Sequence, residues 1–103
     1  MPDPMKIRAI LTVDKVDVKV LMAHEMETGF RKDASGALVP AHYIQTVSCT
    51  ANGKTVLSMQ WGPSVSKNPF LAFRFTGAKK GDKLSITWND NKGETRTDEA
   101  EIA

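Results

Sequence analysis

Apolar and polar residues alternate along most of this chain, and helical spacing is hard to find. Met5, Ile7, Ala9, Leu11 and Val13 share one side of an extended segment, with Lys6, Arg8 and Thr12 on the other. Ile10 is the one mismatch. After a brief turn at Asp14-Lys15, Val16, Val18, Val20 and Met22 alternate with Asp17, Lys19 and Leu21, so the two segments predict a hairpin. Tyr43, Gln45, Val47 and Cys49 face one way and Ile44, Thr46 and Ser48 the other, leading into Asn52-Gly53. Asn-Gly between two β-rich runs predicts a type I′ turn, because both central residues there need positive φ. The return strand is Thr55 to Trp61. Leu71, Phe73 and Phe75 then line one face of an aromatic-rich strand, and Leu84, Ile86 and Trp88 line another. Asn89 to Gly93 reads as a hairpin loop, and the mostly polar stretch from Glu94 to Ile102 as a final edge strand.

Two connections stand out. Ala23 to Ala41 is the longer, with turn signals at Gly29, Asp33-Ala34-Ser35-Gly36 and Pro40; Phe30 and Leu38-Val39 flank its centre and predict a small hairpin excursion. Trp61 to Phe70 is the second. Pro63 and Pro69 lack backbone donors, so no central strand runs through it, and it predicts an ordered, unpaired crossover with aromatic ends. About seven strands with turns every eight to twelve residues predict an all-β, immunoglobulin or fibronectin III-like antiparallel sandwich, one domain over 1–103. With no disulfide available, Trp61 and Trp88 are its candidate core aromatics.

The 103 residues carry a formal charge of +2, with bases scattered among acids, which gives no sequence argument for nucleic acid. No apolar run is long enough to cross a bilayer, so no membrane partner is expected. Met1 to Lys6 lacks the charged and apolar regions of a signal peptide, and by itself that predicts a cytoplasmic address. A lone cysteine excludes an internal disulfide and any multi-cysteine metal site.

His24, His42 and Cys49 invite a copper reading, but no histidine follows the cysteine, and a hairpin turn stands where the ligand loop of a blue-copper site belongs. Cys49 shares its face with Val47 and reads as a small buried hydrophobe; a nucleophile needs exposure and an adjacent base. His24 reads as a solvent-facing loop histidine or an interface residue, and His42 as structural. Glu25 and Glu27 have no matched acid or arginine cluster for acid–base work. The chain therefore reads as no enzyme on its own and as needing no cofactor or metal.

Three stretches taken together resemble the SoxZ family of bacterial thiosulfate oxidation: Leu21-Met22-Ala23-His24-Glu25-Met26-Glu27-Thr28-Gly29, Val39-Pro40-Ala41-His42-Tyr43-Ile44, and Trp61 to Phe70. Arg31 to Ala34 and Gly77 to Asp82 through Gly93 fit as well, and the likeness spans essentially the whole length. Glu25 departs from it, standing where the family motif has proline. The resemblance implies an immunoglobulin-type subunit that pairs with SoxY, whose cysteine-bearing C-terminal arm carries sulfur intermediates and is worked on by cytochromes and a hydrolase. It implies a non-catalytic scaffold, and a periplasmic address reached by export with a signal-bearing SoxY. The expected partner surface is the His24–Gly29 loop and the Trp61–Phe70 crossover: Met22, Met26, Trp61 and Phe70 as apolar anchors, His24 and Glu27 beside them, Lys67 and Asn68 at the rim. Trp61 and Phe70 serve equally well as core fillers. A free-standing immunoglobulin-like protein-binding module is the alternative, and a small redox enzyme built on an exposed Cys49 a third.

Overall fold

The computed structural model describes residues 3–103. Among the described residues seven strands form: β1 (Lys6–Thr12), β2 (Lys15–Leu21), β3 (Ile44–Ala51), β4 (Lys54–Gln60), β5 (Phe70–Thr76), β6 (Lys83–Asp90) and β7 (Thr95–Glu101). They make two antiparallel sheets, β1-β2-β5 and β4-β3-β6-β7. This is an immunoglobulin-like sandwich in which β4 pairs with β3 instead of joining β5.

The alternation holds where strands run true. Val16, Val18 and Val20 of β2 and Leu84, Ile86 and Trp88 of β6 are almost fully buried, facing one another across the sandwich. Each such aliphatic side chain contributes roughly 1.5–3 kcal/mol by leaving water. Asn52 and Gly53 turn at φ 50° and 81°, the positive pair that a type I′ hairpin requires.

Two expectations fail, both at irregularities. Ile44 is buried with Val47 instead of facing away from it, because the β3–β6 register shifts between Ile44 and Thr46 and resets the inward side. Val13 belongs to no strand: Thr12 pairs with Lys15, so Val13-Asp14 forms the two-residue turn, with Val13 at φ 60° and 94% exposed.

The two open sides of the sandwich differ. Along β1 and β7 the layers are joined: Met5 N–H donates to Asp98 Oδ2 (2.9 Å), Ala103 N–H to Ala9 O (2.9 Å), and Ile102 plugs the core. β4 and β5 lie in different sheets and are not paired with each other. Leu57, Met59 and Trp61 on the one side and Leu71, Phe73 and Phe75 on the other are left half-buried there.

Candidate functional site

His24 leaves the end of β2 and turns inward. Its side chain is buried, so the expectation of a solvent-facing loop histidine is corrected. The physical reason is a set of partners distant in sequence. Nε2 lies 3.0 Å from Asp90 Oδ2, and the ring packs edge-to-face on Trp88 with centroids 5.0 Å apart. Nδ1 accepts from the backbone N–H of Met26 at 3.0 Å. That bond assigns the neutral ring's proton to Nε2, which donates it to Asp90.

Asp90 ends β6, buried and saturated. Its Oδ2 also meets His42 Nε2 at 2.7 Å, while Oδ1 accepts from the N–H groups of Lys92 (3.0 Å) and Glu94 (2.8 Å). Burial alone raises its pKa, but the bonds from His24, Glu94, His42 and Lys92 outweigh burial and hold it below the usual carboxylate range. His42 is in turn bridged to Glu94 Oε1 at 3.0 Å, which extends the chain of contacts to the surface.

The donor atoms of His24, His42 and Asp90 lie within 4.8 Å of one another, close enough to raise a metal centre. The hydrogen bonding argues for protons in that space. His24 Nε2 carries a hydrogen and has no lone pair for an ion, and all the acceptor positions of Asp90 are filled. The cluster is a clasp joining the β2 exit, the start of β3 and the β6–β7 turn.

The crossover is tied to the same clasp. Asn68, at φ 51°, donates from its backbone to His24 O (2.9 Å), and its Oδ1 accepts from His24 N–H (3.1 Å). Met22 N–H donates to Pro69 O at 2.9 Å. The prolines thus make an ordered corner that is braced from one side.

The expected partner residues therefore divide. Met22 and Met26 are buried in the chain's own core, Met26 with its sulfur 3.4 Å from Ile44 N–H, and His24 is buried with them. All three are held inside the chain's own fold, with Met22 continuing the inward side of β2. Asn68 is exposed, but its carboxamide oxygen is engaged within the chain. Glu27 is forked onto by Arg31 (2.6–2.9 Å) and bridges by its backbone to His42. Trp61 is half-buried against the core, whereas Phe70 stands 63% exposed and Lys67 reaches out to Glu25 at 3.6 Å. Trp61, Phe70, Val65 and Met59 line an open hollow of about 540 Å³ at the β4–β5 side. The 27–42 arm closes by bridges Glu27–His42 and Lys32–Leu38, as the hairpin excursion predicts, and carries exposed Phe30 and Leu38.

Cys49 is wholly buried, and burial pushes its thiol up to about 11. Asp90 was missed from the sequence. A loop-starting aspartate predicts bonds to the next few N–H groups, but nothing local announces two histidines 66 and 48 positions upstream.

The stretches that carry the family likeness are those that meet in this clasp: His24 to Gly29, His42-Tyr43, the crossover's Asn68, and Asp90 to Gly93. The sequence model of the family described as sulphur oxidation protein SoxZ matches residues 5–101. The chain belongs to the SoxZ family. Membership implies a part in sulfur oxidation. No curated protein matches the chain. Among solved structures, hypothetical protein PH1083 from Pyrococcus horikoshii OT3 is similar, with a TM-score of 0.67 at 20% identity over 99% of this chain and 89% of that one. At that identity the likeness is one of fold.

Proposed function

We propose that this SoxZ-family chain is the docking half of a two-subunit sulfur carrier, binding a SoxY-like subunit whose C-terminal cysteine holds the covalent sulfur intermediates. The observation that carries the reading is Cys49: the only cysteine in the sequence is buried, with its thiol pushed up to about 11. A thiol kept protonated and out of solvent attaches no sulfur, so a carrier built on this chain takes its nucleophile from a partner. The partner's seat is the open β4–β5 side. Phe70 is the central exposed anchor there, half-buried Trp61 lines the same hollow, and Lys67 sits at the rim. Met22, Met26, His24 and Asn68 act behind that surface by holding the crossover in place.

Co-expression with a SoxY-like chain ending in a glycine-flanked cysteine tests the proposal. The two co-purify at one to one, and Phe70→Ala with Lys67→Glu weakens the complex; if the unaltered chains fail to co-purify, the reading is wrong. The reading includes the periplasm as the working compartment, reached bound to a signal-bearing partner. Cell fractionation with and without that partner checks it: the chain should move to the periplasm only when the two are made together.

A further inference from the structure

Formal charge looks scattered along the sequence, but folding sorts it. The outward positions of the β1-β2-β5 sheet are Lys6, Arg8, Ile10 and Thr12, then Lys15, Asp17, Lys19 and Leu21, then Phe70, Ala72, Arg74 and Thr76. Five of these are basic and one is acidic, a net +4 on one face of a chain whose total is +2. The remainder of the molecule therefore carries a net −2. The outer face of the other sheet is of a different kind, hydroxyl-rich, with Lys83 against Glu99 and Glu101 as the charges of β6 and β7, Thr87 bonded to Thr97 (2.8 Å) and Asn89 to Thr46 (3.0 Å).

The register makes the basic face costly. Arg8 stands directly across from Lys19, and Lys19 directly across from Ala72. Like charges facing each other across strands destabilise a sheet. The one acid on the face, Asp17, is paired with Arg74. Over small Ala72 the surface dips into a hollow of about 710 Å³, lined by Arg8, Lys19 and Arg74 together with Ile10 and the Arg74-paired Asp17. At one end of the face Leu21 lies between Lys6 and Phe70, which puts an apolar pair beside a base.

We propose that this face is a second docking surface, taken by an acidic protein other than the carrier subunit. Charge complementarity selects the occupant's sign, and the exposed Ile10 and Leu21 call for apolar contacts that a bare polyanion lacks. The inference rests on the docking reading above, since only a subunit already holding a carrier gains from recruiting a further protein. Its location fits that use: Phe70 joins this face to the proposed carrier seat, so a protein bound here lies beside whatever the carrier presents.

The test uses the full chain alone and so does not depend on the carrier. The probe is an acidic peptide of glutamates around a central leucine, followed by amide NMR. We expect shifts confined to Arg8, Ile10, Lys19, Leu21 and Ala72, weakening as salt is added. The Arg8→Glu/Lys19→Glu double variant should bind at least about tenfold more weakly, while still co-purifying with the carrier subunit. Four results overturn the proposal: no binding, shifts elsewhere, preferential binding of phosphatidylglycerol vesicles or of duplex DNA at the same salt, or loss of carrier co-purification in the double variant, which would make this face the carrier's own seat. Failure of the unaltered chain to bind a carrier, with peptide binding intact, sinks the docking reading instead.

Discussion

Gly29 adopts φ +89°, and a Cβ built on it falls 3.1 Å from the Cβ of Ala41. Both the backbone conformation and the space demand glycine, because the 27–42 arm returns against itself at that point. Gly29→Ala should cost more than about 1 kcal/mol in urea unfolding. Val13 is the opposite case, a β-branched residue at φ 60° with nothing around it to repay the strain. Val13→Gly should raise stability by about 1 kcal/mol, measured the same way. Asp90 is the residue on which the clasp depends. Asp90→Ala leaves two histidines and two backbone N–H groups without their acceptor, and the loss should reach about 3 kcal/mol or more. Its acid titration has a defined sign. The folded pKa is lowered, so the stability Asp90 contributes is present above the unfolded carboxylate value near about 3.9 and disappears as pH falls through the still lower folded value. Urea midpoints should therefore fall below about pH 4 in the unaltered protein, with a shallower fall in Asp90→Asn.

At the scale of elements, the crossover and the motif loop behave as one piece. Because Asn68 holds His24 by both backbone groups, Asn68→Ala should destabilise the fold and reduce partner binding together. Lys67→Glu should leave the unfolding midpoint unchanged and reduce partner binding alone. Calorimetric titration set beside thermal unfolding separates the two. This contrast shows how much was legible in the sequence. The strands β2 and β6 were readable because period-two alternation is a local consequence of burying one face. The Asn52-Gly53 turn was readable because few residues accept positive φ. Ile44 was misread because a single bulge at the start of β3 puts it out of step with Val47 and Cys49, which keep the inward side that alternation predicts. His24 and Met26 were misread for another reason. His24 is turned inward by Asp90 and Trp88 and Met26 meets Ile44, partners that only the folded topology brings near. The basic sheet face was invisible for the same reason, since Arg8, Lys19 and Arg74 become neighbours only through strand register.

For the whole molecule, the lone cysteine divides the candidate chemistries. Native protein should react with a thiol reagent only as fast as it opens globally, whereas protein in denaturant should react at once. Rapid labelling of the native state would remove the argument that the sulfur-bearing thiol belongs to a partner. The layers are joined along β1 and β7 and left ajar along β4 and β5.

That open flank has a consequence for supply in the cell. β5 is a seven-residue, aromatic-rich outer strand with no proline and a single charge, and its free side presents unpaired backbone groups to any similar strand. A copy made without its companion is then a template for another copy. On the proposed pairing, the two chains need matched dosage and prompt assembly. Expressed singly, this one should sediment as a monomer when dilute and associate as concentration rises, and adding the proposed companion should reverse that association.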